Sequence, residues 1–475
     1  MTSDYLSRAA RLRPDAVALD DGSRSWSYQD LQARVASASA RLVDAGAKGR
    51  TVALVSETTG DAVMAVHAIL AAGAVIAPLS PRSTAEELRR ALSVLEPELV
   101  LAAPEAWDAA VAAGARPTPL SALDRSGDPL NDRMRPATGR SLPAGTRAIL
   151  WTSGTGGRPR GIALTDANFD ASIGAATDRL GLGPDDRWLA SLGIAHIGGL
   201  VLVLRAGATG ASVTARGRFR PEEAAALVDA GSVTHASLVP TMLRQLLDLR
   251  NDRPAATLRC ILVGGAHCPR TLVERAVRAG FPLALTYGMT ESTSQAATAP
   301  PELVRSKPGT VGSPLEGTEI RVDERGEVML RGPTVAAGYV GADLPLAADG
   351  WLRTGDLGEI DADGHLWITG RRSDRIVTGG VNVDPVEIED VLRSHAGVSD
   401  AAVVGLPDER WGEVVAAAVV SAVGAYPDPG ELEGLTRARL TTSKVPRRWL
   451  FLSELPRNAN GKVDRDAVRQ GFQTS

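Results

Sequence analysis

Cysteine is nearly absent from this chain, with Cys260 and Cys268 alone among 475 residues. They stand outside any Cys-x-x-Cys spacing, so neither a disulfide framework nor a cysteine zinc site is expected, and a cytoplasmic setting is. Lysine is scarce as well: only Lys48, Lys307, Lys444 and Lys462 occur among 52 basic residues. A lysine kept against that bias invites a reason. A formal net charge of -4 gives no general basic field, which argues against a nucleic-acid partner. No run approaches the roughly 18 apolar residues of a spanning helix, and the first residues carry charge without an apolar stretch, so neither membrane insertion nor export is expected. His67, His235, His267, His365 and His395 show no metal-ligand spacing. Asp361-Ala362-Asp363-Gly364 lacks the rest of a calcium loop and reads as a hairpin turn.

What is present reads as alternating helix and strand. Leu31, Val35, Ala38 and Leu42 recur at helical spacing, and the strand-like Val52-Ala53-Leu54-Val55 follows. Helices over 61–72 and 86–95 alternate with strands at 74–78 and 99–101, the pattern of an α/β domain with much parallel sheet. A second α/β run, with strands at 188–191 and 259–263 and helices at 221–230, 239–248 and 270–279, fills 165–300. Short segments with turn signals after residue 305 predict a β-rich subdomain, and a compact α+β unit is expected beyond residue 370.

The stretch Trp151-Thr152-Ser153-Gly154-Thr155-Gly156-Gly157-Arg158-Pro159-Arg160-Gly161 has the composition of a loop that wraps phosphate. Glycines let backbone N–H groups turn toward an anion, hydroxyls add donors, and arginines add charge. It is neither a Walker A loop nor a dinucleotide fingerprint, because the required Lys-Ser/Thr ending and third glycine are missing. In Thr286-Tyr287-Gly288-Met289-Thr290-Glu291-Ser292, an aromatic ring can stack on a base, a threonine can bond a phosphate oxygen and a carboxylate can hold Mg2+. Gly355-Asp356 offers a carboxylate to ribose hydroxyls, and Gly461-Lys462 offers a compact cation on a flexible stem.

These segments, in this order, resemble the adenylate-forming superfamily of acyl-CoA synthetases, luciferases and peptide-synthetase adenylation domains. Its phosphate loop ends Thr-Gly-x-Pro-Lys-Gly, so Gly156 and Arg160 are departures; Asn458 replaces a threonine before the last lysine, and Ser373 replaces the usual Asp or Lys of a hinge. The resemblance implies an α/β fold with a large N-terminal domain, 1–370, of mixed, largely parallel sheets and a β-rich subdomain, and a small mobile α+β C-terminal domain, 371–475. It implies Lys462, Glu291, Thr290 and His196 as catalytic residues, with Glu291 on Mg2+. Thr152, Ser153, Gly154, Thr155, Gly156, Gly157, Arg160, Gly265, Ala266, Thr286, Tyr287, Gly288, Thr290, Asp356, Arg371 and Lys462 would bind ATP. His196, Gly264, Gly265, Ser294 and Gln295 would line the acyl pocket, Gly379 and Gly380 a CoA tunnel, and Ser373 would be the hinge.

Within the superfamily, Leu262-Val263-Gly264-Gly265-Ala266, Ser294-Gln295, His196-Ile197-Gly198-Gly199-Leu200 and Arg371-Arg372-Ser373-Asp374 are most similar to the o-succinylbenzoate-CoA ligases of menaquinone biosynthesis. The implied partners are a small carboxylic acid, ATP and CoA, without nucleic acid or membrane, and a homodimer stays open. Two other readings stay open too. One is an adenylating enzyme for another aryl or medium-chain acid, or one that serves a carrier protein; the other is a non-catalytic nucleotide-binding relative.

Overall fold

The stripe Leu31, Val35, Ala38 and Leu42 is the buried face of the helix Tyr28–Asp44. That helix starts where Ser27 and Asp30 close a capping box, each side chain satisfying a backbone N–H of the other. The computed structural model describes residues 5–124, 130–136, 141–152, 160–250, 253–458 and 462–474, and every element counted belongs to them.

Seven strands make one sheet, in the order Gly338–Tyr339, Arg160–Thr165, Thr146–Thr152, Val75–Leu79, Thr51–Val55, Leu99–Ala102, Thr118–Pro119. Eight make a second, running Ala297–Ala299, Leu283–Tyr287, Cys260–Val263, His235–Leu238, Arg187–Leu189, Ser212–Thr214, Val17–Asp20, Ser25–Ser27. The central strands of both are parallel. Thr51–Val55 is buried at every position, as a strand covered on both faces must be.

One continuous core joins the sheets. It takes Leu54, Ile76 and Leu150 from the first, Leu19, Trp188 and Val213 from the second, and helices Tyr28–Asp44, Gly60–Ala71, Asp166–Leu180 and Ile197–Thr209 between them. Gly60–Ala71 and Ile197–Thr209 are apolar around most of their circumference because both sides meet a sheet. That is why the second of them carries no amphipathic period to find in the sequence. Further helices cover the outer faces, Ala85–Leu95 on the first sheet and Pro221–Asp229, Pro240–Asp248 and Arg270–Arg278 on the second.

The β-rich segment is an antiparallel sheet of Glu319–Val322, Glu327–Arg331, Leu352–Ile360 and Leu366–Arg371. Beyond it a five-stranded sheet pairs Val398–Asp408 with Gly412–Ser421 and packs helices Pro385–Arg393 and Pro429–Arg439 on one face and Arg465–Thr474 on the other. No helix among the described residues is long and apolar enough to cross a membrane.

Candidate active site

Parallel sheets gather ligands at the carboxyl ends of their strands, and here both sheets bring those ends to one crevice. Gly264 follows the strand Cys260–Val263, Tyr287 ends Leu283–Tyr287, and Thr152 ends Thr146–Thr152. Two glycines are required by contact rather than by turn geometry. A Cβ on Gly264 would lie 2.6 Å from Thr286 Cγ2, and one on Gly288 would lie 1.6 Å from the Ser294 carbonyl oxygen. Gly288→Ala is therefore expected to cost about 3 kcal/mol or more, the severe end of overpacking. A urea midpoint equal to that of the parent would refute the close approach.

Tyr287 is buried, and its hydroxyl donates to Asp356 Oδ2 at 2.9 Å, while Arg371 Nε stands 3.1 Å from Asp356 Oδ1. Burial raises the Asp356 pKa, and Arg371, the Tyr287 hydroxyl and Lys462 pull it back. Lys462 thus reaches this cluster from the C-terminal sheet's side of the crevice. Enclosure of its ammonium and the Arg371 charge lower its pKa, with Asp356 and Glu291 opposing. Water still reaches the residue, which moderates that shift. Asn458 anchors the lysine, its side-chain oxygen accepting from Lys462 N at 3.1 Å and its own N–H donating to Lys462 O at 2.9 Å.

Thr290–Ser292 forms one tight turn, closed by Met289 N donating to Ser292 Oγ at 3.0 Å. It hands on to Thr293 and Ser294, both in the left-handed region at φ 50° and 91°. Such strain persists where surroundings over-determine it. Here Thr293 Oγ1 donates to Thr334 O at 2.7 Å and Ser172 Oγ to Thr293 O at 2.5 Å. Glu291 Oε1 accepts from the Tyr339 hydroxyl at 3.1 Å. One partly open carboxylate beside Thr290 suits Mg2+, which keeps waters and shares phosphate oxygens rather than filling an all-protein cage. Of the phosphate loop, Thr152 and Arg160 are described at its two ends; Ser153, Gly154, Thr155, Gly156 and Gly157 lie outside the described residues.

His196 precedes the first turn of Ile197–Thr209. Burial, then Lys462 and Arg82, lower its pKa to about 4, so it is neutral at pH 7. Gln295 is buried and accepts from Thr298 Oγ1 at 2.8 Å, while Ser294 is half-buried and Gly265 exposed. Burial also takes His67 to about 4 and lowers His235. All three histidines hold protons more weakly folded than unfolded, so their stabilisation is full above the unfolded value near 6.5 and is lost as pH falls toward 4. Asp384, raised by burial to about 6, and Asp356, also raised by burial, act in the opposite direction, two groups against three. Urea midpoints are accordingly expected to fall between pH 7 and 5, and a flat series would contradict the burial of these rings.

Arg205 was not a candidate from sequence. It is 3% exposed, its guanidinium lies 4.7 Å over the Trp188 ring, and its Nε and Nη1 have no hydrogen-bond partner. Burial lowers its pKa to about 10. Trp188, His235 and Cys260 sit in register in a row across the sheet, two residues below Ala190, Ser237 and Leu262. Arg205 stands over that row, two turns along the helix that His196 begins. The signal was available: one charge ends the apolar run Leu200-Val201-Leu202-Val203-Leu204.

Gly379 and Gly380 are exposed, both at positive φ of 57° and 79°, and are not gathered into the crevice with Lys462. Gly379 N donates to Trp411 O at 2.8 Å, and Arg410 and Arg447 lie 5.0 and 4.8 Å over the Trp411 ring. Ser373 is exposed, its Oγ 3.0 Å from Asp374 Oδ1, between Arg372, bound to Glu327 at 3.1 Å, and Asp374, bound to Arg465 at 3.1 Å. Across the crevice His267 Nε2 meets both Asp390 oxygens at 3.0 Å, which ties the C-terminal sheet's helix to the large sheets in this orientation. The predicted turn at 361–364 forms, and Lys307 bonds both Asp361 and Asp363 there.

The chain matches the AMP-binding enzyme family over residues 6–340 and the AMP-binding enzyme C-terminal domain over 387–462. It is 36% identical over 487 residues to a 2-succinylbenzoate--CoA ligase of Geobacillus kaustophilus, covering 98% of this chain and 97% of that one. A similar ligase of Bacillus pumilus is 34% identical over 499 residues, with 99% and 98% covered. Among solved structures, the o-succinylbenzoate CoA synthetase of Bacillus subtilis in complex with its acyl-adenylate intermediate has a TM-score of 0.88 at 31% identity, covering 98% of each chain. ATP-bound MatB from Rhodopseudomonas palustris has a TM-score of 0.89 at 28% identity, covering 100% and 99%. The chain therefore belongs to the AMP-binding, adenylate-forming enzymes, and it has their acid-thiol ligase fold from end to end.

Proposed function

We propose that this protein couples o-succinylbenzoate to CoA in two steps, supplying menaquinone biosynthesis. The observation that carries the reading is near full-length similarity, at 31% identity, to a synthetase solved with the adenylate of that acid. In the first step the substrate carboxylate attacks the α-phosphorus of ATP, pyrophosphate leaves, and a mixed anhydride forms. In the second the CoA thiol attacks the acyl carbon, loses its proton, and AMP leaves. Mg2+, held by Glu291 with help from Thr290, would offset the phosphate charge.

The chain's own residues perform positioning and charge neutralisation. Thr152 and Arg160 contact the phosphates; Asp356 accepts from ribose hydroxyls and is itself held by Tyr287 and Arg371. Gly265, Ala266, Thr286 and Gly288 form the nucleotide wall, where glycine lets the backbone approach closely. Lys462 stands where charge builds on the carboxylate and α-phosphate. Neutral His196, with Gly264, Ser294 and Gln295, bounds the acyl pocket. Arg205, a buried cation whose Nε and Nη1 lack a hydrogen-bond partner, is proposed as the partner of the aryl carboxylate of the keto-diacid. Residues 371–475 then turn about Ser373, withdrawing Lys462 and bringing Gly379 and Gly380 to the thiol's entry path. Cys260 and Cys268 are free thiols, in keeping with a cytoplasmic enzyme.

Mass spectrometry after incubation with ATP, Mg2+, CoA and a panel of acids tests the reading. The expected product is the thioester of o-succinylbenzoate. A thioester from another acid would move the substrate, acyl-AMP alone would point to a carrier protein as acceptor, and no product would restore the non-catalytic reading.

A further inference from the structure

The exit of the phosphate loop and the Glu291 turn are joined by a strap, residues 333–340. Its backbone pairs with the strand Arg160–Thr165 on one side, with Tyr339 opposite Ile162 and Val340 N donating to Gly161 O at 2.8 Å. On the other side Ala336 N donates to Glu291 O at 2.9 Å. Asn168 Nδ2 holds the strap's start, reaching Pro333 O at 2.7 Å and Val335 O at 2.9 Å. At the strap's end the Tyr339 side chain touches both functional loops at once. Its hydroxyl is 3.1 Å from Glu291 Oε1, and the Arg160 guanidinium lies 4.9 Å over its ring.

We propose that Tyr339 is a positioning residue that fixes the Glu291 carboxylate for the metal and that Arg160, stacked on its ring, couples its own contact with phosphate to that carboxylate. The phenol is a fit donor for this task. By donating to Oε1, it restrains the carboxylate while occupying only one of its acceptor sites. The arginine also gains a reason: a planar guanidinium stacks on a ring, whereas the point charge of the family's lysine does so less well.

The inference rests on Glu291 as the Mg2+ carboxylate but not on the identity of the acid, so its test omits the acid altogether. Mn2+ is titrated into full-length enzyme saturated with ATP, and free Mn2+ is read by paramagnetic resonance. Glu291→Gln should abolish tight Mn2+ binding. If it does not, the metal assignment itself fails. Tyr339→Phe keeps ring and stack but loses the hydroxyl, and should weaken Mn2+ about tenfold, the size of one hydrogen bond to a charged group. Arg160→Lys should weaken it about threefold, and in the Tyr339→Phe background it should have no further effect, since the ring then has no route to the carboxylate. Unchanged Mn2+ affinity in Tyr339→Phe overturns the proposal, and so do fully additive effects of the two substitutions. Should Tyr339→Phe not fold, Arg160→Lys alone decides: unaltered Mn2+ affinity there also overturns it.

Discussion

Replacing Lys462 by alanine is expected to slow acyl-adenylate formation by about 10²- to 10³-fold, the usual loss when one preorganised charge is removed from a developing anion. The side chain is solvent-reached and its neighbours are provided for without it. Asp356 keeps Arg371 and the Tyr287 hydroxyl, and Glu291 keeps the Tyr339 hydroxyl. The thermal midpoint should therefore stay near the parent's. The two half-reactions separate the lysine's role from a general defect. Pyrophosphate release from ATP and acid should collapse, whereas thioester formation from synthetic acyl-AMP and CoA should persist, because in the proposed cycle Lys462 has left the site by that step. Normal pyrophosphate release would reject the assignment, and equal losses in both halves would mean the substitution damages the C-terminal sheet instead.

The parts of this site visible in sequence are those whose chemistry forces a residue type at a place. Gly288 is glycine because a carbonyl occupies the space of a Cβ, and Asp356 is where one carboxylate can face a ribose. The continuous apolar runs that became Thr51–Val55, Val75–Leu79 and Cys260–Val263 were legible because both faces of each are covered. Contacts set by tertiary approach were not. Nothing near Glu291 in the chain announces Tyr339, 48 residues away, and nothing near His267 announces Asp390, 123 residues away. Ile197–Thr209 hid for the opposite reason, since a helix between two sheets has no polar face to give it a period. The substitutions Arg160 and Asn458 looked like losses in sequence. In the fold each has gained a partner, the Tyr339 ring and the Lys462 backbone.

The same buried helix yields the second large effect. On the proposed pairing of Arg205 with the aryl carboxylate, Arg205→Leu is expected to lower kcat/KM for o-succinylbenzoate by about 10²- to 10³-fold, the cost of leaving a substrate carboxylate without its cation. Benzoylpropionate, which keeps the reacting chain but lacks the aryl carboxylate, should be used as well by the variant as by the parent, or better. Leucine removes an unsatisfied guanidinium from the Trp188 face, so the variant should lose no stability and its urea midpoint should hold or rise. Arg205→Lys should fall between, retaining charge without the planar fork that meets a carboxylate at two points. Equal losses for both acids would show that Arg205 serves only the packing of its helix. An undiminished rate with the diacid would place its second carboxylate elsewhere. The decisive quantity is thus the ratio between the two acids, because a defect in folding, ATP binding or domain movement acts on both alike and cancels, leaving only the contact between one guanidinium and one carboxylate.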